Sequence, residues 1–132
     1  MRAMSSSRRA ISRVHSFGHA IEGLAYALRT QPNTRIHAVI LVLVVVAGLW
    51  LGLSFGEWAL IALAAGLVFT AELLNTGIEA VVDLASPDLH PLAKAAKDVA
   101  AGAVLIAALT AVAVGLLVLG PPLWEMIAQV FL

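Results

Sequence analysis

The sequence predicts an all-α integral membrane protein: three transmembrane helices preceded by an N-terminal amphipathic helix at the membrane interface. Three observations carry this. Of 132 residues, 61% are hydrophobic and 12% charged, too little polar surface for a water-soluble domain of this length. Three apolar runs are each long enough, at about 20 residues, to cross a bilayer core as a helix. All eight lysines and arginines fall on one side of those runs. The length suits one domain over residues 1–132.

The segment 5–30 reads as the amphipathic helix. At 100° per residue, Ile11, Val14, Phe17, Gly18, Ile21, Leu24, Ala25 and Leu28 share one side. Arg9, Ser12, Arg13, Ser16, His19 and Tyr26 share the other. An arginine-rich polar side opposite an apolar stripe suits a helix lying in the interface; the same stripe could instead pack on the bundle. Pro32 is expected to end or kink it. No apolar run occurs before residue 35, so a cleavable leader is not expected.

The first span is read as 36–53, the second as 58–84 and the third as 99–119. In lipid each must be helical, because an open strand would leave backbone groups unpaired. Ser54–Glu57 links the first two, with Trp58 as an interfacial aromatic. Ser86-Pro87-Asp88 breaks the second helix, and Pro121-Pro122 is expected to end the third, leaving a tail over 120–132. Gly48, Gly52 and Gly56, at four-residue spacing, would permit close helix contact. Arg2, Arg8, Arg9, Arg13, Arg29 and Arg35 precede the first span, and Lys94 and Lys97 lie between the second and third. The positive-inside rule makes that side cytoplasmic, with the C-terminus outside.

Balanced charge gives no basic patch for nucleic acid. The absence of cysteine excludes disulfides and thiolate metal sites. Phosphate-cradling and dinucleotide glycine motifs are absent, as is a zinc-protease helix. His15, His19, His37 and His90 are scattered and read as surface or interfacial residues.

What remains is the second half of the second span, AELLNTGIEAVVD. Glu72, Asn75, Thr76, Glu79 and Asp83 fall within an arc of about 100° on a helix of 3.6 residues per turn. Leu73, Ile78 and Val81 face the other way. Ionisable groups at such depth cost a few kcal/mol each, so they call for neutralising partners: a divalent metal, a metal-bearing polyanion or facing cations. Lys94, Lys97 and Asp98, at the entrance to the third span, make a phosphate and metal environment the favoured reading. The plainer alternative is that Glu79, Asp83 and the lysines form structural ion pairs at the membrane surface.

The stretch Ala71-Glu72-Leu73-Leu74-Asn75-Thr76-Gly77-Ile78-Glu79-Ala80-Val81-Val82-Asp83 resembles the signature of the small bacterial membrane lipid kinases, the prokaryotic diacylglycerol and undecaprenol kinases. His90-Pro91-Leu92-Ala93-Lys94-Ala95-Ala96-Lys97-Asp98 matches as well, and the similarity runs from about Ser16 to Gly115. The resemblance implies a homotrimer in the bacterial inner membrane, with active sites between chains, transferring the γ-phosphate of MgATP to a lipid hydroxyl. It places Glu72 as general base and Glu79 as magnesium ligand, with Asn75 and Thr76 in support. Asp83, Lys97, Asp98, His90 and Arg13, together with Glu79, would meet the nucleotide. One position departs from the family. Where relatives carry a glutamate as second metal ligand, in a pattern like T-E-R-N-x-R-I-H, this chain reads Thr30-Gln31-Pro32-Asn33-Thr34-Arg35-Ile36-His37. Gln31 keeps an oxygen donor and loses the charge, with Glu22 as the alternative carboxylate. The forms EWAL, AELLNT and HPLAKAAKD look more like the undecaprenol kinases, with diacylglycerol the alternative lipid. Two other classes remain open. A small proton- or cation-coupled transporter would use an intramembrane glutamate, but the uncharged stretch Trp58 to Thr70 offers no path across. An inactive family member is suggested by Gln31.

Overall fold

Four helices account for nearly the whole chain in the computed structural model, which describes residues 3–88 and 90–131 and the side chains of those from Ser16 to Val130. They are α1 (Ala3–Thr30), α2 (Pro32–Leu51), α3 (Phe55–Ala85) and α4 (Pro91–Phe131). Three of them, α2, α3 and α4, are long and apolar enough to cross a membrane.

The breaks between helices have local causes. Gln31 is the single non-helical residue between α1 and α2, held extended at φ −103° and ψ 113°. That is the conformation a following proline imposes, and Pro32 then opens α2, where a missing N–H costs nothing. The first span thus begins four residues earlier than the apolar run suggests. It stops at Gly52, whose φ of 70° is the left-handed cap that favours glycine. Ser54 starts α3 through a reciprocal capping box: its side chain accepts from the Glu57 N–H, and the Glu57 carboxylate accepts from the Ser54 N–H at 2.7 Å.

Two expectations are corrected. Pro121-Pro122 does not end the last helix, which continues through both residues to Phe131. Each proline removes one intrahelical donor, but its fixed φ is helical. Membrane helices tolerate such prolines where neighbouring helices or small local adjustments satisfy the freed carbonyls. The glycine triplet does not form one contact stripe. At Gly48 a Cβ would come within 2.8 Å of both the Leu53 side chain and the Trp58 ring, whereas Gly56 faces open space and Gly52 is the cap. Trp58 is therefore a packing residue over Gly48 as well as an aromatic at the helix start.

The most extensive packing is α3 against α4. It uses Ile61, Ala64 and Val68 on one helix and Ala100, Val104 and Ala107 on the other, all buried. Small side chains let the backbones approach, as they do where helices pack without a hydrophobic driving force. Outside, the polarity is inverted relative to a water-soluble protein. Val42, Leu43, Val46 and Leu49 of α2, Leu63 of α3, and Leu105, Leu109 and Leu116 of α4 are all exposed. A contiguous apolar exterior of that extent is a surface made for lipid or for other helices. Phe17 and Ile21 of α1 are uncovered too, and among its described side chains the helix docks through its end, with Ala27 fully buried.

Candidate active site

The buried residues of α3 recur at three- and four-residue intervals: Ile61, Ala64, Val68, Glu72, Asn75 and Thr76. The polar stripe is thus the continuation of the packing face, and the same geometry that buries Val68 buries Glu72. Only 1% of Glu72 is exposed, and with Thr34 it is the most completely enclosed of the described polar residues.

Glu72 is met by the first turns of α2. Thr34 Oγ1 donates to Oε2 across a long 3.4 Å. His37 Nε2 stands 3.2 Å from Oε1, but the pair lacks the alignment of a hydrogen bond, so Oε1 has proximity to the ring without a bond. The Thr76 hydroxyl donates to the Glu72 carbonyl oxygen at 2.8 Å, tying its side chain back to the preceding turn.

Two turns towards the end of α3 lies a second carboxylate. Glu79 Oε2 accepts from Gln31 Nε2 at 3.1 Å, and Oε1 accepts from Asn75 Nδ2 at 3.0 Å. Both amides turn N–H groups to the carboxylate, and the Asn75 carbonyl oxygen is left buried with no partner. The resemblance set Gln31 beside Glu79, and they touch although 48 residues separate them.

Further out are the exposed charges. Lys97 pairs with Asp83, bridging α4 to α3, and Lys94 pairs with Asp98 one turn along α4. Lys97 and Asp98 are neighbours in sequence but hold different partners. The ion-pair alternative therefore describes Asp83 and Lys97, and does not describe Glu79, whose partners are amides. His90 caps α4: its Nδ1 accepts from the Leu92 N–H at 3.2 Å, and its carbonyl from the Lys94 N–H at 3.1 Å. Glu22 pairs with His19 on the exposed side of α1, away from Glu79. Arg13 lies in α1, with its side chain outside the described residues.

Sequence reasoning missed Thr34 and His37. The signal was present: Gln31, Thr34 and His37 recur every three residues, one helical face of polar groups at the start of an apolar span.

A metal is implied by the resemblance, and the donor set bears on it. Among the described residues no three carboxylates or histidines converge on one point. Magnesium does not ask for that, since it is held through one or two carboxylates with water and substrate phosphates. Glu79 flanked by two amides, one with an unpartnered buried oxygen, fits such a hard cation.

Residues 18–119 match the model of the prokaryotic diacylglycerol kinases. The chain belongs to that family. Membership makes it a membrane lipid kinase, an ATP-dependent phosphotransferase. An undecaprenol kinase of Bacillus subtilis (strain 168) is 46% identical over 108 residues, covering 82% of this chain and 88% of that protein. A diacylglycerol kinase of Synechocystis is 50% identical over 109 residues, covering 82% of this chain and 62% of its own. The diacylglycerol kinase of Escherichia coli K12 is 35% identical over 99 residues, 75% of this chain and 81% of that one.

Proposed function

We propose that this kinase phosphorylates undecaprenol, with Glu72 as the general base. The observation that carries the mechanism is the enclosure of Glu72 at the apolar end of a polar stripe. There a lipid hydroxyl can arrive from the hydrocarbon side and a nucleotide from the cytoplasmic side. Glu72 takes the hydroxyl proton as the lipid oxygen bonds to the γ-phosphorus; the bond from that phosphorus to the β-phosphate oxygen breaks, and ADP leaves. Glu79, with Gln31 and Asn75 in support, would hold Mg²⁺, which supplies charge neutralisation to the phosphates. Asp83, Lys97, Asp98 and His90 form the outer ring that meets the nucleotide, a role the family resemblance extends to Arg13. Lys97 and Lys94 are already paired, so they would exchange a carboxylate for a phosphate when ATP binds.

The assembly is a homotrimer in the inner membrane. Its apolar exterior supports lateral association, and α1 lies at the interface with the uncovered Phe17 and Ile21 in the lipid. The N-terminus and site are cytoplasmic and the C-terminus outside, supported by the one-sided cations.

Undecaprenol is favoured by the wording of the motifs and by the Bacillus relative, of which the chain spans 88%. Diacylglycerol is the second reading, favoured by the 50% identity to the Synechocystis enzyme. Purified protein in mixed micelles with radiolabelled ATP separates them. Magnesium-dependent labelling of undecaprenol over diacylglycerol is expected. Preference for diacylglycerol selects the second reading, and labelling of neither by folded protein would mark the chain as an inactive family member. Glu72→Gln should abolish labelling without altering the fold by circular dichroism.

A further inference from the structure

A buried general base must lose the proton it takes before the next turnover. Glu72 is poorly placed to do so alone, because 2% of its side chain is exposed. Two side chains reach its carboxylate. Thr34 offers a hydroxyl, which donates and does not carry a proton away. His37 offers an imidazole, the side chain whose ordinary titration falls between pH 5 and 8 and which accepts a proton through its free nitrogen.

The geometry singles out His37. Its Nε2 is 3.2 Å from Glu72 Oε1, and its side chain is 21% exposed against 2% for Glu72. Oε1 has no hydrogen-bond partner as it stands. At that distance a rotation of the imidazole ring is enough to bring the nitrogen into line with the carboxylate oxygen and let them share a proton. Among the described residues the surroundings add no competing charge. From α3 the titratable group in contact with His37 is Glu72. The cleft of about 210 Å³ that His37 lines is completed from α4 by Ala108, Ala111, Val112 and Gly115. On α1, His19, Glu22, Tyr26 and Arg29 are exposed, as is Arg35 on α2 itself.

We infer that His37 resets the base: after each phosphoryl transfer it takes the proton from Glu72. This rests on Glu72 being the base. The O–H bond at Glu72 Oε1 breaks and an N–H bond forms at His37 Nε2. The carboxylate keeps the electron pair, and the imidazolium then gives its proton up to solvent at the cytoplasmic start of α2, because the cleft it lines is apolar. His37 acts through Glu72 and does not touch the lipid.

The test compares wild type, His37→Ala, His37→Gln and Glu72→Gln, using whichever lipid the wild type phosphorylates. His37→Ala should lower kcat by roughly tenfold or more, short of the ~10²–10⁴ of a direct general base, with both KM values within about twofold. Added imidazole should restore part of the kcat of His37→Ala, in proportion to its neutral form. His37→Gln fills the space and hydrogen-bonds but cannot take a proton. It should be as slow as His37→Ala, with a pH profile of kcat that differs from that of the wild type. A His37→Gln enzyme with wild-type kcat and an unchanged pH profile overturns the inference, as does a loss in His37→Ala confined to KM or indifferent to imidazole. Should His37→Ala not fold, the pH profile of His37→Gln decides. If Glu72→Gln is dead while His37→Gln is fully active, His37 alone is misassigned. Full activity in Glu72→Gln removes the base and the inference together.

Discussion

The two halves of α3 make an instructive pair. From Ile61 to Val68 its buried face is apolar and packs on α4; from Glu72 to Glu79 the same face, at the same spacing, carries carboxylates and amides. Helix, rise and burial are shared, so what distinguishes scaffold from site is the identity of the facing residues. The first half meets Ala107 and the other small apolar residues of α4. The second meets Gln31, Thr34 and His37, polar groups delivered by the start of α2. The cost of burying Glu72 and Glu79 is offset by partners from a distant part of the chain, and those partners also leave acceptor atoms open for chemistry.

The largest effect should come from removing the charge that defines the second half. Glu72→Gln should reduce kcat by about 10²–10⁴-fold, read as phosphate transfer at saturating ATP. Moving a carboxylate into the first half should cost stability instead. Val68→Glu, one turn further into the membrane and with Ile61 and Ala64 for neighbours on its own face, is expected to destabilise by about 3 kcal/mol, measured by denaturation in mixed detergent micelles. Gly48→Ala should cost about 1–3 kcal/mol in the same assay, because the new methyl must displace Leu53 or Trp58. Gln31→Glu sharpens the comparison within the site. It replaces a donor to Glu79 with a second carboxylate and should lower the magnesium concentration for half-maximal activity by about tenfold, the lower end of changes at metal-supporting positions. Smallest is Ser54→Ala, which removes half of the capping box and should cost about 1 kcal/mol of stability with kcat unchanged.

Much of this was legible before any coordinates. Apolar runs identify the helices because lipid leaves the backbone no other option. The Glu72–Asp83 stripe follows from helical periodicity alone. What local pattern cannot supply is the partner on another helix. Nothing in the spacing of AELLNTGIEAVVD says that Thr34 and His37 close on Glu72, or that Lys97 prefers Asp83 to its own neighbour Asp98. The ends of helices were misjudged where a rule from water was carried into the membrane. Pro121-Pro122 would stop a helix in water, where a freed carbonyl finds solvent and the chain can turn. Here the apolar and aromatic residues beyond them, Leu123, Trp124 and Ile127, extend the same helix.

The extended residue between α1 and α2 joins two tasks. Gln31 is the elbow of the chain and also the side chain that reaches Glu79. A change of backbone angle at this one position would therefore shift the direction of α1, the seat of Ala27 and the contact on the carboxylate together.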